Sequence, residues 1–272
     1  MAKSWAECLN ELKPYVYKIY TPHGSGTGFQ LAYAQNKQFI GIATALHVVD
    51  HAHDWEEPIK LVHHLSNTTT ILREADRVIY TYPGKDLAFI LLSVGDLPVN
   101  ENDLSMIEPD MHLKQGVHMG WCGFPAVAPN DLCFFTGHMS SWLSSQQSYL
   151  VDGVAINGVS GGPSFYSTTE GPKICGVVSA YVPNRATGET LPGVCLIRDV
   201  SPYQDALKEV HSLEEAAEKA KEQEALHEGK DIPLEREPEA KSEKKIAKKK
   251  VTKKKSTRKR ATKKKVARKR AR

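Results

Sequence analysis

The run Gly158-Val159-Ser160-Gly161-Gly162-Pro163 sets a serine among glycines, a composition that packing alone would not select. Glycine tolerates positive φ and close backbone approach, so the chain can turn sharply there and push the Ser160 hydroxyl into a cleft. The same turn aims neighbouring backbone N–H groups at one point. Such a point can hold the negative oxygen of a tetrahedral acyl-transfer intermediate. Two upstream groups suit this chemistry. His47 ends the apolar run Phe39-Ile40-Gly41-Ile42-Ala43-Thr44-Ala45-Leu46, and Asp86 opens the apolar run Leu87-Ala88-Phe89-Ile90-Leu91-Leu92. Each titratable group is therefore expected at the end of a strand, partly buried and held still. Taken singly, a histidine in an apolar strand is a core residue and an aspartate before a strand is a turn residue. Their coincidence with the serine favours chemistry over either plain reading.

The elements that must position these groups read as short strands. Segments 15–20, 28–33, 39–44, 59–65, 77–82, 87–92, 116–122, 134–140, 149–151, 164–166, 173–180 and 194–197 are β-like and broken by Gly, Pro and Asn. That pattern indicates a sandwich or barrel and not βαβ units. After Val200, Ser201-Pro202-Tyr203-Gln204 reads as a helix start, with Ser201 as N-cap, Pro202 in the first helical position and Gln204 closing a capping box. The helix is expected to run to about Leu226, ahead of Gly229 and Pro233.

The ordered motifs resemble the trypsin-like serine peptidases of the chymotrypsin fold, and within them the disulfide-free, Deg-like branch. The resemblance spans residues 24–200, in the order His, Asp, Ser. Gly24-Ser25-Gly26-Thr27-Gly28-Phe29 resembles the glycine-rich early strand, and Thr44-Ala45-Leu46-His47-Val48-Val49 the histidine motif. Asp86-Leu87-Ala88 resembles the aspartate motif, residues 152–163 the segment leading into the nucleophile, and Ile174-Cys175-Gly176-Val177-Val178-Ser179 the strand lining the cleft. The resemblance implies an all-β fold of two six-stranded antiparallel barrels, with a C-terminal helix and a disordered basic tail. Its domains would be a peptidase unit over 1–200, a helix and acidic linker over 201–240, and the tail over 241–272.

It also implies roles. His47, with an intrinsic pKa near neutrality, would take the proton of Ser160, and Asp86 would fix the imidazole tautomer. The N–H groups of Gly158 and Ser160 would form the oxyanion hole. Ser179, Ala180 and Tyr181 would pair with an extended substrate by strand addition. Val154 occupies the position that sets primary specificity. With no carboxylate there, cleavage after Lys or Arg is not expected, and a small or medium apolar residue is the expected preference. Val159 stands where secreted relatives carry the aspartate that pairs with a newly cut N-terminus, so activation by trimming has no anchor. Val48 replaces a disulfide cysteine common in secreted members.

Of 272 residues, about 200 read as one folded unit. The five cysteines, Cys8, Cys122, Cys133, Cys175 and Cys195, show no CxxC spacing, so reduced, mostly buried thiols are expected. Neither a cofactor nor a metal site is expected; His51, His53, His63 and His64 read as solvated residues of a polar loop. No apolar run approaches the roughly 20 residues of a membrane span, and Met1–Glu7 has no secretory pattern. Asn67-Thr68-Thr69 then reads as a polar turn. A cytoplasmic or nuclear location follows as an expectation.

The net charge of +4 conceals two opposed parts. Residues 241–272 carry fourteen Lys and five Arg against one Glu, a net +18, leaving −14 on the remainder. With no aromatic residue, this arm is expected to be disordered alone and resembles linker-histone tails. Lys248, Lys249, Lys250, Lys253, Lys254, Lys255, Arg258, Lys259, Arg260, Lys263, Lys264 and Lys265 are its candidate phosphate contacts. Binding of DNA or RNA through counterion release would be salt-sensitive and sequence-tolerant. A nuclear import signal, an anionic membrane contact and a clamp on the acidic body are the alternatives. Three functional readings compete. One is a serine endopeptidase acting on a protein or polyprotein and tethered to nucleic acid, in a viral, phage or chromatin setting. Another is an inactive peptidase fold used for binding. The third is a precursor that releases its arm by self-cleavage.

Overall fold

In a computed structural model the described residues are 1–33, 38–183 and 190–228. Ahead of the first lobe lies helix α1 (Trp5–Leu12), capped by the reciprocal bonds of Ser4 and Glu7, with Trp5 packed on Phe134 and Phe165 of the second lobe. Seven strands follow: β1 (Val16–Thr21), β2 (Gly24–Tyr33), β3 (Phe39–Ala45), β4 (Ile59–His63), β5 (Thr69–Leu72), β6 (Arg77–Tyr82) and β7 (Leu87–Ser93). Helix α2 (Leu46–Asp54) lies between β3 and β4. The second lobe is built from β8 (His118–Gly123), β9 (Cys133–Leu143), β10 (Ser148–Asp152), β11 (Pro163–Ser167), β12 (Pro172–Pro183) and β13 (Thr190–Asp199). Helix α3 (Ser201–Glu228) comes last.

The fold is chymotrypsin-like, with one departure from two equal barrels. The second lobe closes in the order β10-β13-β12-β11-β8-β9, whereas the first is a seven-stranded sheet, β5-β4-β1-β2-β3-β7-β6, whose edges do not pair. The tight turn Glu74–Asp76 separates β5 from β6. Arg77 spans that seam with its side chain in place of a ladder. Its guanidinium donates to Leu72 O (2.9 Å), Ala52 O (2.9 Å) and Glu57 O (2.7 Å).

The β3–β7 pair is buried on both faces, which explains why both strands read as nearly continuous apolar runs. Ile40, Ile42, Ala88, Ile90 and Leu92 face the interior of the first lobe with Tyr17, Ile19 and Leu61. Ala43, Ala45, Leu87 and Phe89 face the other way, into a core shared with Trp121, Val177 and Tyr203. Tyr203 on α3 is fully buried, and its hydroxyl donates to Thr44 O (2.7 Å) and Ala88 O (3.1 Å). The C-terminal helix is thus fastened to the strands that end beside His47 and Asp86.

Several local expectations change. His47 does not end a strand; it lies in the first turn of α2, because Val49 and Ala52 turn into the core at helical spacing. His63 is not solvated. The alternation of β4 turns Ile59, Leu61 and His63 inward, and the ring bonds Ser66 Oγ and Pro14 O, both at 2.9 Å. Thr69 belongs to β5 and not to a turn. Helix α3 starts at Ser201 itself, and Gln204 donates to Ile107 O (2.7 Å) instead of closing a capping box. Cys8, Cys122, Cys175 and Cys195 are buried; burial pushes the thiols of Cys122, Cys175 and Cys195 up to about 12. Among the described residues no helix is long and apolar enough to cross a membrane. The tail, 241–272, lies outside the described residues.

Candidate active site

Helix α2 has no side-chain cap of its own, since Ala45 precedes it. Asp86 supplies one from the turn that leads into β7. Its carbonyl accepts the Leu46 N–H (3.2 Å), and its Oδ1 accepts the His47 N–H (3.0 Å). A carboxylate at a helix N-terminus also complements the dipole. To reach this position Asp86 adopts a left-handed conformation, φ 50° and ψ 46°, after the short turn Pro83–Lys85. Aspartate tolerates that region better than most residues.

The same carboxylate binds the imidazole. His47 Nδ1 lies 3.0 Å from Oδ1 and 2.9 Å from Oδ2 of Asp86. With the carboxylate ionised, Nδ1 carries the proton and Nε2 keeps a free lone pair. The hydrogen bond to Asp86 holds His47 above its ordinary 6.5, burial opposing and the charges of Asp86 and Asp50 assisting. For Asp86, burial works upward, yet the hydrogen bonds from His47 and Ser179 prevail and keep it below 3.8. The Ser179 hydroxyl donates to Asp86 Oδ2, and Arg198 Nε–H donates to the Ser179 hydroxyl at 3.2 Å. Ser179 sits where the β12–β13 register shifts, between Val178 and Ala180. Bulges re-aim side chains in this way.

The serine loop belongs to the second lobe but is held by the first. Thr27 of β2 donates its N–H to Ser160 O (2.8 Å) and its hydroxyl to Gly158 O (2.8 Å), and accepts the Phe124 N–H (3.1 Å). Gly158 has φ 93°, and a Cβ there would lie 2.3 Å from Phe124 O. Gly161 has φ 86°, and a Cβ would lie 2.0 Å from Thr27 O. Both glycines are therefore required by the turn. Among the described residues, the N–H groups of Gly158 and Ser160 find no hydrogen-bond partner. His47, Gly158 and Ser160 line one cleft of about 440 Å³, together with His23, Ser25, His51, Ala126 and Asn157. The Ser160 hydroxyl itself donates to Ser179 O at 3.2 Å and not to the imidazole.

The other expected positions divide. Val154 is about half exposed and is not among the residues lining that cleft; its carbonyl accepts the Trp121 indole N–H at 3.2 Å. The ladder between β11 and β12 ends at Pro163↔Val177, so among the described residues β12 pairs from Ser179 onward with β13 alone. The backbones of Ala180 and Tyr181 lie opposite Leu196 and Cys195, while their side chains fall outside the described residues. Val159 is fully buried. The twelve Lys and Arg positions from 248 to 265 fall outside the described residues.

Sequence reasoning missed Thr27 as the staple of the serine loop, the Ser179 hydroxyl, and Arg198. Thr27 lay in a run noticed for its glycines, with no local sign of a partner 131 positions away. An arginine in β13 likewise carries no signal until the fold sets it beside Ser179.

At the sequence level neither a protein-family model nor a curated protein matches this chain. Solved structures do. The crystal structure of Deg5 superposes with a TM-score of 0.55 at 17% identity, over 74% of this chain and 90% of that one. The serine endoprotease from Yersinia pestis gives 0.56 at 16% identity, over 78% and 68%. The inactive form of the Rv3671c protease gives 0.52 at 16%, over 75% and 92%. These likenesses establish the fold: a chymotrypsin-like β protein of the architecture used by Deg-type serine proteases.

Proposed function

We propose that this chain is a serine endopeptidase whose triad is His47, Asp86 and Ser160. The observation that carries the reading is His47, bonded through Nδ1 to both carboxylate oxygens of Asp86 and lining one cleft with Ser160, whose N–H, like that of Gly158, finds no partner among the described residues. A staggered change of χ1 turns the Ser160 hydroxyl from Ser179 O toward His47. Catalytic hydrogen bonds are commonly loose before substrate binds. His47 Nε2 takes the hydroxyl proton as Oγ attacks the scissile carbonyl, and the oxyanion is received by Gly158 and Ser160 N–H. His47 then returns the proton to the leaving amine, giving an acyl-enzyme. Water, activated by the same imidazole, hydrolyses the ester and restores Ser160. Asp86 stabilises the imidazolium in both steps. The free edge of β12 from Ser179 supports strand addition of an extended peptide.

Preference for a small or medium apolar residue before the cleaved bond is proposed from the sequence position of Val154 alone, since that side chain does not line the cleft of His47 and Ser160. The arm, 241–272, with its net +18, would tether the enzyme to DNA or RNA inside the cell. The test is hydrolysis of an unfolded protein substrate. Cleavage by the wild type and none by Ser160→Ala is the expected result; equal activity of the two, or none in either, rejects the reading.

A further inference from the structure

Beside the triad, the cleft carries a second group of polar side chains that the proposed hydrolysis leaves unused. His23, in the turn between β1 and β2, places Nε2 3.3 Å from Oε2 of Glu57. His51, one helical turn beyond His47 on α2, places Nδ1 3.1 Å from the same oxygen. The two imidazole centroids are 3.7 Å apart. All three candidate ligand atoms lie within 4.8 Å of one another. His23 and His51 also line the cleft that holds His47 and Ser160.

The nitrogen–oxygen spacings of 3.3 and 3.1 Å are those of a coordination shell, whereas the two rings, 3.7 Å apart, must swing open for both nitrogens to face one ion. Ligands about 2.0–2.1 Å from a tetrahedral zinc ion lie about 3.3 Å from each other. Two imidazoles and one carboxylate are a ligand set for zinc, whereas magnesium and calcium demand oxygen. The supports are rigid. Glu57 N–H donates to Ala52 O at 2.9 Å, and Glu57 O receives Arg77 Nη2 at 2.7 Å. His51 is fixed by α2, whose Val49 and Ala52 are buried. Each ligand is reachable from solvent, His23 being 53% and His51 44% exposed.

We propose that His23, His51 and Glu57 bind a zinc ion on the rim of the cleft, and that the bound ion inhibits peptide hydrolysis. Three protein ligands leave one position for water, the arrangement of an exchangeable site and not of a closed structural one. The ion ties the β1–β2 turn to α2 and narrows the space that His47 and Ser160 share. The inhibitory half rests on the peptidase reading; the site itself does not.

The experiment titrates the full-length, untagged, reduced protein with Co²⁺, read by its visible absorption, and then displaces it with Zn²⁺. One ion per chain is expected. His23→Ala and His51→Ala should each weaken binding by about tenfold or more, since losing even a ligand's supporting partner costs about that much. His138→Ala, which removes another exposed histidine, should bind as the wild type does. No saturable binding, or equal binding by His23→Ala and the wild type, overturns the site. In parallel, peptide hydrolysis with and without Zn²⁺ is compared within each protein. The wild type should lose activity in step with occupancy and recover it with EDTA, while His51→Ala, at a Zn²⁺ concentration that just fills the wild-type site, should show a ratio nearer one. A wild-type ratio near one at full occupancy overturns the inhibition. Ion binding with no hydrolysis in any condition supports the site and counts against the peptidase reading alone.

Discussion

Thr27 and Ser160 belong to different lobes, yet the N–H of Thr27 donates to the carbonyl of Ser160 at 2.8 Å. With the Thr27 hydroxyl bonded to Gly158 O and Phe124 N–H, one fully buried residue of the first lobe sets the shape of the loop that would carry nucleophile and oxyanion hole. The cleft is then a property of the lobe interface and not of either lobe.

Thr27→Val keeps the volume and removes the hydroxyl, leaving Phe124 N–H and Gly158 O buried without it. Loss of about 1–3 kcal/mol of stability is expected. Activity should fall through kcat more than KM, because the loop loosens where charge develops. Urea unfolding and steady-state kinetics on one preparation check both; unchanged stability removes the staple.

The His47–Asp86 pair predicts a pH dependence. A general base must be neutral, so kcat/KM should rise with pH through a limb above 6.5, the direction in which Asp86 moves His47. Asp86→Asn should move that limb to lower pH and reduce kcat by about 10⁴. Stability follows the opposite sign for each partner. The His47 contribution is complete below 6.5 and lost as pH rises through its raised folded value. The Asp86 contribution is present above 3.8 and lost as pH falls through its lowered one. A limb at or below 6.5 in the wild type contradicts the assignment.

Gly158→Ala places a methyl 2.3 Å from Phe124 O at a φ of 93°. The loop must shift and carry one oxyanion donor with it, so kcat should fall by about 10²–10³. Circular dichroism should remain native. Full activity would place the oxyanion elsewhere.

Tyr203→Phe deletes a buried hydroxyl whose single proton is shared between Thr44 O and Ala88 O. A loss of about 1–3 kcal/mol is expected, read by thermal or urea unfolding. An unchanged midpoint would show that α3 is not fastened to β3 and β7.

Much of this was legible in the sequence, and the exceptions have physical causes. Strands β3 and β7 announced themselves because both faces are buried, and the glycines around Ser160 because the turn admits little else. Helix α2 did not, since its cap comes from Asp86, 39 positions beyond His47, and no N-cap residue precedes Leu46. Strand β5 is four residues long with one buried position, too short to show alternation. Helix α1 was readable and overlooked: Ser4 and Glu7 form a capping box, and Trp5, Cys8 and Leu12 recur at helical spacing.

The tail can be tested apart from the catalytic account. Deleting 241–272, which carry a net +18, should abolish salt-sensitive binding to unrelated DNA and RNA sequences. Equal binding by the truncated protein would end the tethering proposal.

The central claim is that Ser160 becomes a nucleophile beside His47. Reaction with a fluorophosphonate probe, followed by peptide mapping, tests it most directly. The adduct should sit on Ser160, form in the wild type, and be absent from Ser160→Ala and His47→Ala proteins that remain folded. Failure of the folded wild type to react, or an adduct on another residue, would contradict the account.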